Sequence, residues 1–163
     1  MNQSSPLDDD AAMRLALDEA RSCVGSGDVP VGAVVLRGGV VIAAAGNARE
    51  RLGDPTAHAE MLALREAARR TGSWRLDGCT LVVTLEPCAM CAGAIVLARV
   101  DRVVFGADDP KAGFAGSLGD LVRDPRLNHR VKLTSGVLGD ACGDVLRAFF
   151  RQRRGGAADQ SPG

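Results

Sequence analysis

The feature that most constrains the fold is a split motif whose two halves lie thirty residues apart. His58-Ala59-Glu60 forms the first half, and Glu86-Pro87-Cys88-Ala89-Met90-Cys91 forms the second. One imidazole and two thiolates are ligands of the types that Zn²⁺ prefers, and they leave a fourth tetrahedral position for water. The chain must therefore fold so that the halves meet. The ligand set is typical of a catalytic zinc site rather than a closed structural one.

Each half of the motif also has another interpretation. A Cys-x-x-Cys sequence can be a redox pair, and a single histidine is often an ordinary core or surface residue. A structural zinc site would need a second closely spaced pair of Cys or His, but Cys23, Cys79 and Cys142 are isolated. A thioredoxin-like pair would leave His58 and Glu60 without a role. The conjunction therefore favours a catalytic metal.

Length and charge bound the class of protein. A chain of 163 residues with 46% hydrophobic and 25% charged residues is expected to be one globular domain. We predict that the domain covers residues 8–154, after a flexible N-terminus of residues 1–7 and before a disordered tail of residues 155–163. Its 20 basic and 20 acidic residues give no net charge, so any nucleic acid must be bound locally.

The location of the protein is also predicted from composition. No apolar run is long enough to span a membrane, and the first ten residues lack the basic and apolar pattern of a signal peptide. Five cysteines, an odd number without a framework spacing, suit a reducing compartment. We therefore expect a cytoplasmic protein whose thiols remain available for metal.

The first half of the chain predicts a helix, a hairpin and a second helix. Apolar residues at helical spacing begin near the acidic cluster of residues 8–10, which suits a helix N-terminus. Residues 31–36 and 40–44 are short apolar runs joined by Arg37-Gly38-Gly39, which predicts a tight hairpin. The second helix is predicted over about residues 57–70.

The second half predicts strand, helix and strand in succession. The predicted strands cover residues 81–85 and 103–106, with a helix over residues 88–98 between them. This order favours a right-handed crossover and parallel pairing. A short strand near residues 131–134 and a final helix over about residues 139–153 complete a three-layer α/β/α architecture with a mixed sheet of about five strands.

Local geometry explains how the split motif can work. Cys88 and Cys91 are three residues apart at a helix N-terminus, where they share a face and where the helix dipole favours thiolate. His58 and Glu60 are two apart, so on a regular helix they would point in nearly opposite directions. We infer that His58 lies at or before the first turn, which lets both residues face one metal.

The charge of the ligand set indicates what Glu60 does. Two thiolates neutralise Zn²⁺, so a bound water should be less acidified than in a site of three histidines, and a proton acceptor becomes more necessary. Glu60 can take the proton of the water and return it to a substrate nitrogen and a departing amine. Hydrolytic deamination of an amidine-like ring carbon needs these transfers.

Longer segments around the motif carry a resemblance. The chain is similar, from about Ala11 to Arg154, to the bacterial tRNA-specific adenosine deaminase family of the cytidine/deoxycytidylate deaminase superfamily. The resemblance implies a cytidine deaminase-like fold. The segments that carry it are residues 28–34, 54–60, 84–94, 103–107 and 128–131.

The resemblance implies the metal site and the reaction. His58, Cys88 and Cys91 would bind one zinc ion per chain, and Glu60 would be the proton shuttle. Members of the family are homodimers that convert adenosine to inosine at the wobble position of a tRNA anticodon loop. Iron could occupy such a ligand set as well.

The resemblance also implies contacts to the RNA. Asn47 would contact the target nucleotide, and the backbone at Ala59 would complete the base pocket. Asp109 and Lys111 would contact sugar and phosphate from a loop over residues 106–117. Alternatively, Asn47 is a turn residue and the loop is merely solvated. Asp108 departs from the family, where this position is often basic, which puts one phosphate contact in doubt.

The last helix carries an apolar stripe and an arginine face. The stripe is formed by Cys142, Val145, Leu146, Phe149 and Phe150, which predicts that both phenylalanines belong to the core. Arg147, Arg151 and Arg154 share another face, which is either an ordinary solvated surface or a phosphate contact.

Two other functions remain open from the sequence. The same chemistry could act on a free nucleobase or nucleoside, such as guanine or cytosine, and zero net charge leans towards that substrate. A zinc-stabilised binding module without catalysis would also satisfy the metal motif. Only the enzyme hypotheses require the carboxylate of Glu60.

Overall fold

The computed structural model describes residues 5–158. The helices are α1 (Asp9–Ser22), α2 (Arg49–Leu52), α3 (Ala59–Thr71), α4 (Ala89–Leu97) and α5 (Gly139–Ala158), and a 3₁₀ turn covers Val24–Ser26. The strands are β1 (Gly32–Arg37), β2 (Val40–Gly46), β3 (Cys79–Leu85), β4 (Arg102–Ala107) and β5 (Lys132–Thr134). No helix within the described residues is long and apolar enough to cross a membrane.

The five strands form one mixed sheet in the order β2-β1-β3-β4-β5. β1 is antiparallel to both β2 and β3, whereas β3, β4 and β5 are parallel to one another. The predicted crossover from β3 through α4 to β4 is confirmed, as is the mixed five-strand sheet flanked by helices.

The hairpin between β1 and β2 is closed by two glycines. Arg37 pairs with Val40, so Gly38 and Gly39 form a two-residue turn, and their φ angles are 59° and 74°. Positive φ at both central residues is the geometry that matches the right-handed twist of the flanking strands. The predicted hairpin is confirmed, and it places Asn47 directly after β2.

Two apolar layers pack against opposite faces of the sheet. α1 and α5 cover one face, where Met13, Leu17 and Cys142 contact Val34 and Val82. α3 and α4 cover the other face, where apolar residues of the two helices pack on alternate strand residues. The central strands β1, β3 and β4 are buried on both faces and are largely apolar, as strands covered by helices on both sides usually are, whereas the edge strands β2 and β5 are more exposed.

The predicted chain termini need correction. α5 continues to Ala158, so residues 155–158 are helical rather than the start of a disordered tail, and residues 159–163 lie outside the described residues. Leu7, in the segment predicted to be flexible, donates from its N–H to the Gly39 carbonyl at 3.0 Å and packs on the core. Residues 1–4 are not described.

One core prediction on α5 is also wrong. Phe149 is 6% exposed, as expected, but Phe150 is 42% exposed. Adjacent residues on a helix are about 100° apart, so a stripe that buries one of them turns the other towards solvent.

Candidate active site

The split motif is brought together at the N-termini of two neighbouring helices. His58 is the N-cap of α3 and Cys88 is the N-cap of α4, and both have extended backbone conformations. Neither side chain caps its own helix, so both are available for other contacts. The predicted position of His58 before the first turn of its helix is confirmed.

The three donor atoms have spacings that suit one tetrahedral ion. His58 Nδ1 lies 3.5 Å from Cys88 Sγ and 3.6 Å from Cys91 Sγ, and all three atoms lie within 4.8 Å of one another. Zn–S bonds of about 2.3 Å and Zn–N bonds of about 2.0 Å at a tetrahedral angle require an N···S separation of about 3.5 Å. The residues present therefore fit zinc in both chemistry and geometry.

The thiols are polarised by their neighbours. Hydrogen bonds with Cys91 and His58 lower the pKa of Cys88 to about 4, although burial opposes this shift. The same hydrogen bond to Cys88, together with burial, raises the pKa of Cys91. The hydrogen bond to Cys88 raises the pKa of His58. Negative charge thus collects on Cys88, and thiolate is the form that binds metal.

Glu60 lies beside these groups in the first turn of α3. Its side chain is buried, with 4% of the residue exposed. Burial raises the pKa of Glu60 to about 7, and the nearby Cys88 adds to the rise. A carboxyl group with a pKa near neutrality can both accept and release a proton, which suits the predicted proton shuttle.

A cavity opens at this site and brings together several of the predicted residues. His58, Glu60 and Cys88 line it with three of the predicted substrate-binding residues, Asn47, Ala59 and Asp109. The remaining lining residues are Val29, Val31, Arg49, Leu85, Glu86 and Ala112. Lys111 does not line this cavity, although Asp109 and Ala112 on either side of it do.

Lys111 lines a separate groove with residues of α5. Its other lining residues are Arg147, Phe150, Arg153 and Arg154. The guanidinium of Arg153 lies 5.4 Å from the centre of the Phe149 ring. The groove therefore combines four cationic side chains with one exposed aromatic ring. Asp108, the departure from the family pattern, is exposed and lines neither the cavity nor this groove.

Asn47 is held at the cavity wall by its own amide group. Its Nδ2 donates to the Val29 carbonyl at 3.0 Å, and its Oδ1 accepts from the Arg49 N–H at 3.2 Å. Asn47 thus makes turn contacts and also lines the cavity, so the two interpretations of this residue are compatible. Its contact with a nucleotide stays a prediction.

Arg49 is a cavity residue that the sequence did not single out. It begins α2, whose backbone is held from another loop by Asp28, a carboxylate that is 1% exposed. Asp28 accepts from the N–H groups of Glu50 at 2.6 Å and Arg51 at 3.2 Å. The run Arg49-Glu50-Arg51 has the pattern of an ordinary solvated surface, so no signal in the sequence indicated that one arginine faces a cavity.

Glu86 is a second buried carboxylate in the wall, only 2% exposed. Burial opposes its ionisation, but donors from Ser117, Asp109 and Ala115 outweigh burial and hold its pKa below the usual value. The sequence showed Glu86 only as the residue before Pro87. Its donors lie 23 to 31 positions further along the chain, beyond the reach of any local pattern.

Fold and site together define a deaminase. Residues 7–154 match the model of the MafB19-like deaminase family. The chain is 51% identical over 146 residues to the tRNA-specific adenosine deaminase of Bacillus subtilis, and the alignment covers 90% of this chain and 91% of the relative. It is 46% identical over 142 residues to that of Aquifex aeolicus, covering 87% and 93%. The chain belongs to the tRNA-specific adenosine deaminase family.

Solved structures agree with this assignment. A tRNA:A34 deaminase, studied for A-to-I editing at the wobble position of transfer RNA, superposes with a TM-score of 0.80 at 44% identity. The superposition covers 83% of this chain and 98% of the tRNA:A34 deaminase chain. A guanine deaminase from Nitrosomonas europaea superposes with a TM-score of 0.76 at 27% identity, covering 86% of this chain and 83% of that chain.

Proposed function

We propose that this protein hydrolyses adenosine to inosine at the wobble position of a tRNA anticodon loop. Support comes above all from the convergence of His58, Cys88 and Cys91 beside the buried carboxylate of Glu60, in a cavity open to solvent. The substrate follows from the relatives, which are named tRNA-specific adenosine deaminases. An anticodon loop offers an unpaired base that can be turned out of its stack and into such a cavity.

We propose zinc as the resident metal, with His58, Cys88 and Cys91 as its ligands. Zinc bound there would lower the pKa of a water molecule in the remaining tetrahedral position and so supply the nucleophile. The N-terminal ends of α3 and α4 would fix the ligands, because each helix begins at one of them.

Glu60 would move the protons of the reaction. Its carboxylate accepts a proton as the water oxygen bonds to C6 of the purine, and it donates that proton to N1. It then carries the second proton of the water to the amino group, the C6–N bond breaks, and ammonia leaves. One water is consumed, and one inosine and one ammonia are formed. A pKa near neutrality suits a group that must hold and release protons in turn.

The walls of the cavity would bind the target nucleotide. Asn47, Ala59 and Asp109 all line the cavity, so the base would enter among them with the sugar near Asp109. Arg49 adds a cation to the cavity, where it would contact a phosphate.

The groove of Lys111, Arg147, Phe150, Arg153 and Arg154 would bind RNA outside the target nucleotide. Lys111 follows Asp109 by two residues, so the groove and the cavity share one loop. Because the chain has no net charge, four local cations and an exposed ring for stacking are the kind of surface that RNA binding requires.

Assembly and location belong to the same proposal. We expect a homodimer, and Leu97 on α4, which is 70% exposed, is an apolar residue available for such an interface. We also expect the protein to act in the cytoplasm, because its five cysteines without a framework spacing suit a reducing compartment.

The experiment compares purified protein on an anticodon stem-loop with protein on free adenosine, guanine and cytosine. Inosine in the stem-loop, with about one zinc per chain by elemental analysis, is the expected result. Ammonia release from guanine or cytosine with an unmodified stem-loop would establish the free-base activity instead. Iron in place of zinc would correct the metal and leave the reaction intact.

A further inference from the structure

A single buried carboxylate gathers one loop onto the cavity wall. Glu86 Oε1 accepts from the Asp109 N–H at 3.0 Å and from the Ser117 hydroxyl. Glu86 Oε2 accepts from the N–H groups of Ala115 at 3.1 Å and Ser117 at 3.0 Å. Every donor comes from residues 109–117, which we call the Glu86 loop.

The Glu86 loop carries part of the cavity. Asp109 and Ala112 line it, and Asp109 Oδ1 accepts from the Lys111 N–H at 3.0 Å and from the Ala112 N–H at 3.2 Å. The position of the Asp109 backbone, which Glu86 holds, therefore also sets the positions of Lys111 and Ala112. Two residues of the cavity and one of the cationic groove depend on the same contact.

The same loop is joined to the turn that bears the thiols. The Phe114 N–H donates to the Pro87 carbonyl at 2.8 Å, and Cys88 and Gly113 form an isolated antiparallel bridge. Glu86, Pro87 and Cys88 are consecutive, so the loop is bound to the chain segment that leads into the predicted metal site.

The fit between loop and carboxylate leaves no room for a side chain at Gly113. A Cβ atom there would lie 2.3 Å from the Glu86 carboxyl carbon and 2.6 Å from the Asp109 carbonyl oxygen. Gly113 is buried and has no positive φ, so close approach, rather than backbone conformation, is what requires glycine.

We propose that Glu86 is a positioning residue of the deaminase site, which fixes the Asp109 wall of the cavity relative to Cys88. The inference rests on the proposed function, because it gives the wall a substrate to hold. All four hydrogen bonds recorded for the Glu86 carboxylate go to the Glu86 loop, and none goes to the donor atoms of the three ligands. Its effect on catalysis passes through the loop, so it should appear mainly in substrate binding.

The test substitutes Glu86 with Gln, which keeps the shape but faces an NH₂ group towards N–H donors. Metal content should stay at about one per chain. Loss of a contact that binds the nucleotide equally in the ground state and the transition state raises KM without lowering the turnover number, so we expect KM for the stem-loop to rise by about 10- to 100-fold, the range for a lost hydrogen bond to a charged group. The turnover number should change by less than about threefold. Glu66→Gln, which changes a partly exposed carboxylate of α3 that pairs with Arg69 and Arg70, is the control and should leave KM and metal content as in wild type.

A double-mutant cycle separates positioning from general damage. If Glu86 acts through Asp109, Glu86→Gln should add little to the effect of Asp109→Ala, because the wall is already lost. Additive effects on KM would mean that Glu86 acts independently of Asp109, and an unchanged KM with a lower melting temperature would mean that Glu86 only stabilises the fold; either result would overturn the inference. Ser117→Ala, which removes one of four donors, gives a milder variant should Glu86→Gln fail to fold. Gly113→Ala should reproduce the rise in KM with the carboxylate intact.

Hydrogen exchange tests the contact without any substrate. Glu86→Gln should speed exchange at the amides of Asp109, Ala115 and Ser117 by at least about tenfold and leave those of α3 protected. Unchanged exchange at all three would overturn the inference. If wild type forms no inosine but the three amides respond, the proposed function fails while the loop contact stands.

Discussion

Two buried carboxylates line one cavity but differ in their pKa values and in their hydrogen-bond partners. Glu60 is 4% exposed and Glu86 is 2% exposed, so burial penalises the ionised form of each. The pKa of Glu60 is nevertheless raised to about 7, whereas that of Glu86 lies below its usual value. The difference lies in the donors: Glu86 accepts four hydrogen bonds from the Glu86 loop, while Glu60 lies near the negative charge of Cys88.

The two environments match two tasks. A carboxylate that must move protons needs both protonation states within reach, and burial with few donors provides that. A carboxylate that must hold a loop needs one state fixed, and several N–H donors provide that. Burial alone therefore does not identify a proton shuttle. The number of hydrogen-bond donors around a buried carboxylate decides whether its pKa rises or falls.

The largest effect is expected when Glu60, the carboxylate with the raised pKa, is replaced. Glu60→Gln removes the proposed proton shuttle, and such proton transfers are typically worth about 10²- to 10⁴-fold in rate. We expect the turnover number on the stem-loop to fall by that amount while KM and metal content stay near wild type. Single-turnover inosine formation is the measurement.

Glu66→Gln on the same helix is the control for removing a carboxylate from α3. Full activity of Glu60→Gln with bound metal would contradict the shuttle and favour a zinc-stabilised binding module. A protein that loses its metal would instead place Glu60 among the groups that hold the ion.

An intermediate effect is expected at a third buried carboxylate, Asp28. Like Glu86 it is satisfied by backbone N–H groups, in this case those of Glu50 and Arg51. Asp28→Asn should lower the free energy of unfolding by about 1 to 3 kcal/mol, as expected when a buried donor loses a charged acceptor. KM should rise as well, because α2 carries Arg49.

Urea unfolding and stem-loop kinetics measure the two effects of Asp28→Asn. Asp18→Asn, an exposed carboxylate on α1, is the matched control and should alter neither. A loss of stability with an unchanged KM would show that Arg49 does not bind the substrate, and would limit positioning carboxylates to Glu86.

Local sequence patterns were enough to predict part of the site and the order of the layers. Spacing and ligand chemistry identified His58, Cys88, Cys91 and Glu60, and the alternation of apolar runs gave the layers and the parallel crossover. Glu86 and Arg49 were missed because their roles depend on contacts between distant segments. Lys111 was grouped with Asp109 because both belong to the loop that resembles the RNA-facing segment of the family. In the structure Asp109 lines the cavity, whereas Lys111 lines the separate groove.

Errors at the chain ends have a related cause. Gly155 and Gly156 are poor helix formers, so the pattern ended the last helix before them, whereas α5 continues to Ala158. The composition of residues 1–7 predicted a flexible segment, but Leu7 is bonded to the hairpin turn. At Leu7 a contact with the hairpin turn overrode the local propensity, whereas Gly155 is exposed and the structure shows no such contact there.

The smallest expected effect concerns a carboxylate held by a cation. Asp9 and Arg102 form a two-bond ion pair, with N···O distances of 2.8 and 2.6 Å, which joins α1 to β4. The hydrogen bonds from Arg102 lower the pKa of Asp9, so the pair stabilises the fold above the unfolded pKa of about 3.9 and loses this effect as pH falls through the folded value. The pair is about one-third exposed, so solvent and salt limit its contribution to about 1 kcal/mol or less.

Asp9→Asn should therefore unfold more easily than wild type at pH 7 by this small amount, and the difference should shrink as the pH falls below about 4 towards the lowered pKa of Asp9. Asp10→Asn, which alters the same first turn of α1, controls for the helix dipole. Urea unfolding between pH 3 and 7, at low and high salt, is the measurement. A difference that grew towards acid would contradict the ion pair. If the difference in free energy of unfolding did not change with salt, hydrogen-bond geometry rather than charge would account for the contribution of Asp9.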